Sequence, residues 1–229
     1  MTVPYFPLEE TAMTSGERDE RTRLAAIRAW RERYDADAAG LIRDLRDAGF
    51  NISSVENLYN GKLHYDSAIP ILVTWLRRII NPIVKEDIVR ALSVKWAEQT
   101  EAPKLLVSEF EKNEDSTGEG LGWTIGNALE VLANDEIAED MVRLARDRSH
   151  GAAREMIVMG LGKLKNNRSV VDTLIALLDD EEVAGHAVIA LGKLQAKSAR
   201  SHLDHFLSHP KTWVRNAAKK AVARIDKAQ

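Results

Sequence analysis

Five stretches of this chain can be laid over one another at intervals of about thirty residues, and no other feature limits the fold so strongly. They are VKEDIVRALSVK from Val84, LGWTIGNALEVL from Leu121, AREMIVMGLGKL from Ala153, VAGHAVIALGKL from Val183 and VRNAAKKAVARI from Val214, spaced by 37, 32, 30 and 31 residues. With the first residue counted as zero, positions 0, 4, 7, 8 and 11 are apolar or small in nearly every copy, as in Leu121, Ile125, Ala128, Leu129 and Leu132. That is the stripe of a helix with one buried face. Another apolar-periodic segment precedes each copy: AIPILVTWLRRI, APKLLVSEF, EIAEDMVRLA, VVDTLIALL and ARSHLDHFL. Two helices per unit, joined by short polar turns, predict an all-α stack of about five helical hairpins, each too small to bury its apolar face alone.

Two of the copies end in the same four residues, Leu-Gly-Lys-Leu, at Gly162-Lys163 and Gly192-Lys193. A phosphate-binding loop needs its glycines before a helix, so that backbone N–H groups point at the anion, and a Ser or Thr after the lysine. Here leucine follows the lysine, and the glycines fall at the end of a helical pattern. Glycine inside a helix costs about 1 kcal/mol relative to alanine. Position 9 is otherwise Ser93, Glu130 and Ala223, mostly small, so close packing of neighbouring helices is the expected reason.

The totals exclude several classes of function. Cysteine is absent, which removes disulfides, thiolate metal sites and cysteine nucleophiles. The formal charge is -3 and the pI about 6.1, an argument against a surface made to cover nucleic acid. The opening MTVPYFPLEE lacks the pattern of a secretory signal, and no apolar run reaches the roughly 20 residues that span a bilayer. A soluble, cytoplasmic protein without membrane contact is expected.

Residues 1–65 read as an extended segment followed by a helical cap, and residues 66–229 as one continuous repeat domain. Pro4 and Pro7 hold residues 1–13 out of helix. Thr14 and Glu17 have capping-box spacing for a helix carrying Leu24, Ile27, Trp30 and Tyr34 on one face, and a second helix runs from about Asp37 to a terminal Gly49. Ser53 and Glu56 have the same spacing for a short helix ending at Asn60-Gly61.

The V-R-x-x-A-A start at Val214 to Ala218, the A-L-G-K-L end at Ala190 to Leu194, and the first-turn prolines Pro70 and Pro103 resemble HEAT repeats, most closely the short variety named after the phycobilisome lyases. The resemblance covers residues 66 to 227, and LIRDLRDAGFNISSVENLYN is similar to the N-terminal cap of bacterial HEAT-repeat proteins. It implies a right-handed superhelix, a solenoid whose second helices line a concave side. Chemistry does not follow from such a fold.

Candidate chemistry is sparse. His202, His205 and His209 lie near one helix face at spacings that bind zinc or nickel, but no second set recurs and the paired His-Glu motifs of metal-binding HEAT hydroxylases are absent. His186, at position 3, reads as a semi-buried hydrogen-bonded side chain. No catalytic residue, metal or cofactor is therefore assigned. Trp30, Trp75 and Trp96 fall in apolar patterns and are expected to pack in the core or between repeats, and Trp213 precedes a repeat start as a turn residue packed on its neighbour. Trp123 stands at position 2, where the other copies carry Glu86, Glu155, Gly185 and Asn216, so it is expected to face solvent as a binding anchor or to pack there. Charge is polarised: residues 101–140 hold eleven acids and two lysines, net -9, and residues 196–229 hold eight bases and two acids, net +6. A basic terminal repeat serves solubility or docks an acidic partner or nucleic acid.

The resulting expectation is a non-enzymatic scaffold that binds an unidentified protein or peptide. Positions 1, 2, 5 and 9 are read as the concave lining, and Trp123, Asn127, Arg154, Glu155, Lys193, Arg215 and Lys219 as partner-binding residues. One alternative is a lyase- or chaperone-like factor that fits a prosthetic group to a client protein. The other is a HEAT-like alkylated-DNA glycosylase, for which Trp123 with Glu155 is the nearest match and against which the acidic middle argues. The sequence leaves the oligomeric state open.

Overall fold

The computed structural model describes residues 15–228 apart from 62, 115–119 and 166, and, of those, not the side chains of residues 15–19 or of Trp30. The expected extended segment, Thr14, the side chain of Glu17 and the packing of Trp30 lie outside the described residues. Every regular element within them is helical. In chain order the helices are α1 (Ser15–Asp47), α2 (Glu56–Asn60), α3 (Ile69–Leu76), α4 (Pro82–Leu92), α5 (Ala102–Glu111), α6 (Gly120–Leu132), α7 (Ala138–Arg146), α8 (Glu155–Leu161), α9 (Arg168–Ala176), α10 (Ala184–Leu194) and α11 (Thr212–Lys227), with a 3-10 helix, Lys197–Ser208, before the last.

The five repeated segments are α4, α6, α8, α10 and α11, and the segments before them are α3, α5, α7, α9 and the 3-10 helix. Each leading helix packs on its own second helix. The second helices touch in the order α4, α6, α8, α10, α11, and the leading helices in the order α3, α5, α7, α9, 3-10. The result is two rows of helices with the core between them. Positions 0, 4, 7 and 8 supply it: Val84, Ile88, Ala91 and Leu92 in α4, and Val183, Ala187, Ala190 and Leu191 around α10, are all 0% exposed. Local chemistry sets the helix ends. Pro82 occupies the first turn of α4, where its missing N–H costs nothing, and the Asn81 side chain accepts from Ile83 N at 3.0 Å.

The glycines of the two Leu-Gly-Lys-Leu segments lie where second helices meet. A Cβ on Gly162 would sit 2.9 Å from Ala190 Cα, and one on Gly192 would sit 2.6 Å from Ala221 Cα. Gly126, at position 5 of α6, faces Ala153 O and Met156 Cβ in the same way. Positions 5 and 9 of one second helix thus face positions 0, 3 and 7 of the next. Methyl-scale clearance at this seam sets the spacing of the row.

The N-terminal cap packs on the first hairpin through the second half of α1, where Ala38, Leu41, Ile42 and Leu45 are buried. Trp75 lies against Gly40 and donates to Asp44 Oδ2 at 2.8 Å, while Asp87 accepts both the Tyr34 hydroxyl, at 2.5 Å, and the Tyr59 hydroxyl, at 2.7 Å. Burial, then the Asp87 carboxylate, pushes both phenols well above their ordinary pKa, so they remain donors.

Two local expectations are corrected. The two expected N-terminal helices are one, because no glycine or proline interrupts Tyr34 to Asp37; the chain stops at Gly49, whose φ of +95° suits the residue after a helix. The Ser53–Glu56 box does not form. Instead, the Asn57 side chain reaches back to the N–H groups of Ser53 and Ser54, both at 3.0 Å. Trp96 packs edge-on against the buried Tyr65 while staying 38% exposed.

Candidate partner-binding face

A second helix in the middle of the row is covered on three sides, by its own leading helix and by both neighbours. What remains open is narrow, and its register follows from the seam: positions 2, 3, 6 and 10. Position 3 gives Asp87, Met156, His186 and Ala217 at intermediate exposure, position 6 gives Arg90, Asn127, Met159, Ile189 and Lys220, and position 10 gives Val131, Lys163, Lys193 and Arg224. Positions 1, 5 and 9 do not belong to this face. Position 5 is Val89, Gly126, Val158 and Val188, all buried, in the first four copies.

Of the seven residues expected to bind a partner, four reach or border the open face. Trp123 is 36% exposed, and Asn127 one turn later donates to its carbonyl at 2.9 Å. Lys193 lies 3.5 Å from Glu130 Oε1, and Lys163 lies 3.0 Å from Glu130 Oε2, so the two repeated lysines share one carboxylate of α6. Glu155 is half-buried, with its carboxylate 3.8 Å from His186 Nε2. Burial, reinforced by Glu182 and opposed by Lys211, holds Glu155 above the usual carboxylate range, and burial holds His186 below the usual imidazole range. Both shifts favour the neutral forms, so this contact is not a strong ion pair.

The other three lie elsewhere. Arg154 is a correction: its side chain is 0% exposed and cannot meet a partner. Its guanidinium donates to Ala145 O and Gly151 O, each at 3.0 Å, to Asp180 at 3.0 Å and to Glu182 at 2.8 Å. It locks the turn around Gly151, whose φ is +50°, to the turn before α10 in the next hairpin. Arg215 folds back on its own turn, donating to His209 O at 2.7 Å and Pro210 O at 2.8 Å. Lys219 is exposed but occupies position 5, the seam register, on the flank of α11 turned away from α10. Of the three clustered histidines, His209, just past the 3-10 helix, accepts from Lys211 N through Nδ1 at 3.1 Å, and His205 and His209 both lie against the Phe206 ring.

Two grooves open on this face. Between α4 and α6 a depression of about 340 Å³ is lined by Tyr59, Asn60, Arg90, Trp123 and Asn127. Between α10 and α11 one of about 430 Å³ has Ile189, Trp213 and Ala217 as its floor. Trp213 lies on Gly185, the small position-2 residue of α10, and its ring is 5.3 Å from that of His186. The sequence placed Trp213 in a turn packed on its neighbour; it packs so, but from the first turn of α11. The signal for its role was glycine at position 2, which leaves room for an indole supplied by the next repeat.

No family model matches this chain, and no curated protein matches it. No helix among the described residues is long and apolar enough to cross a membrane.

Proposed function

We propose that this chain is a HEAT-type solenoid acting as a non-enzymatic scaffold, whose second helices curve into a concave face that holds a segment of a partner protein. One observation carries the reading: Trp123 and Trp213, 36% and 46% exposed, each line an inter-helix groove on the same open face. Large aromatic side chains left half in water over concave surface are the usual anchors of protein recognition. Met156 and Met159 lie between the two grooves, and flexible thioethers suit a surface that adapts to its ligand. A face already packed through its flanks loses little freedom on binding, which favours affinity.

A photo-crosslinking amino acid placed at position 123 or 189, and as a control at Asp172 on leading helix α9, tests the reading in host cells. A discrete protein adduct should form from the two face positions and not from the control. Equal adducts from all three sites, or none from the face, would falsify the scaffold reading.

A further inference from the structure

Several cations among the described residues are used internally. Lys85 and Lys112 hold the buried Glu109, Arg90 pairs with Glu86, Arg143 with Glu111 and Asp140, Arg154 with Asp180 and Glu182, and Arg200 with Asp204 and Asp226. Lys220 and Arg224 differ. Both are exposed, and neither makes an ion pair or hydrogen bond among the described residues. They occupy positions 6 and 10 of α11, so they do not solvate the outer flank, where Lys219 stands. They line the α10–α11 groove beside Lys193, above the apolar floor of Ile189, Trp213 and Ala217.

Resting on the scaffold reading, we infer that the α10–α11 groove takes an acidic peptide segment carrying a large apolar side chain. The apolar group would lie on the floor against the Trp213 indole, while flanking carboxylates would meet Lys220 and Arg224. About 430 Å³ accommodates one such side chain with its neighbouring backbone. An indole and an isoleucine at the bottom of the groove discriminate against a bare polyanion, which would gain the charges and leave the floor uncovered. Unpaired rim cations meet an anionic partner without first breaking an internal ion pair, and they speed its approach.

Selection of random displayed peptides on the immobilised full-length protein tests this. Enriched sequences should be net acidic with an aromatic or aliphatic residue, and their affinity should fall about tenfold or more in Lys220→Glu/Arg224→Glu. That variant should melt like the wild type, since neither side chain has a partner to lose. In Ile189→Ser the same peptides should weaken, while a single-stranded oligonucleotide of equal charge should bind weakly to every form. Enrichment of neutral or basic peptides, no enrichment, or retention after charge reversal overturns the inference. So does an oligonucleotide that binds as tightly and ignores Ile189→Ser. Crosslinks that persist from position 123 when these outcomes occur would leave the scaffold standing and only its ligand misassigned.

Discussion

Replacing Arg154 with methionine separates a structural arginine from a recognition residue. The guanidinium makes four hydrogen bonds, two of them to the carbonyls of Ala145 and Gly151. Methionine fills most of the side-chain volume, so the loss is electrostatic and not a cavity. Asp180, with a 7% exposed side chain, would lose its buried partner, though Arg148 would remain 3.2 Å away. Burial raises the Asp180 carboxyl, yet the hydrogen bond and charge of Arg154 outweigh it and leave the group below the usual range. Removing one member of a buried pair costs about 3–5 kcal/mol. Glu182, 52% exposed, can turn to water, and Arg148 partly compensates, so the lower end applies, about 3 kcal/mol. Urea unfolding followed by far-UV circular dichroism should show that loss. Asp180→Asn in the methionine background should restore about 1 kcal/mol by removing the stranded charge. Arg148→Met alone should cost under about 1 kcal/mol, because that side chain is 72% exposed. An Arg154→Met protein as stable as the wild type would refute the buried-network account and return Arg154 to the surface.

Gly192→Ala should lower stability despite its better helix propensity. A Cβ 2.6 Å from Ala221 Cα and Cβ forces α11 outwards, at an overpacking cost of about 1–3 kcal/mol against about 1 kcal/mol regained. Gly126→Ala, whose nearest neighbour is Ala153 O at 3.1 Å, should melt between that variant and the wild type, and the reverse order in a thermal scan would contradict the seam. Stability should also fall as pH drops through 6.5, because the unfolded His186 takes up a proton there and the folded one, held low by burial, does not. Glu155, held above its ordinary value, opposes part of this loss further down. Below the ordinary carboxylate range Asp180 and Glu109 add a second loss as their ion pairs are protonated. Replacing His186 with glutamine should remove the first phase in a urea series and leave the second.

The buried face of each second helix was legible because residue type alone encodes it: positions 0, 4, 7 and 8 are apolar or small, and all are buried except Leu121 and Val222, which are partly so. The open face was misread by assuming that whatever is not core must be surface. A helix in a row has flanks as well as a face. The flank had a signature, since position 5 is valine in three copies and glycine in a fourth, and an exposed position would not repeat so. Asn127 and Lys193, which fall at positions 6 and 10, are accordingly among the expected binding residues that reach the open face. Arg154 could not have been placed without the register of the next hairpin, because its partners Asp180 and Glu182 lie in the turn before α10. The union of the first two expected helices was readable from the lack of any breaker. The interruption before α8 at Gly151 was not, because it depends on a glycine whose positive φ only the surrounding packing reveals.

The two Leu-Gly-Lys-Leu segments bear on the open face through arithmetic of charge along the row. Glycine at position 9 is required in α8 and α10 by the seam, so neither helix can carry a carboxylate beside its own position-10 lysine. Both lysines turn instead to Glu130, which occupies position 9 of α6 and is only 16% exposed at its side chain. One carboxylate thus serves two ammonium groups, at 3.0 and 3.5 Å, and is fully committed by α10. Arg224 repeats the same register in α11 with Ala223 beside it, and it makes no ion pair among the described residues. The α10–α11 groove therefore carries Lys220 and Arg224 without an internal ion pair, beside a Lys193 whose acid lies two second helices upstream.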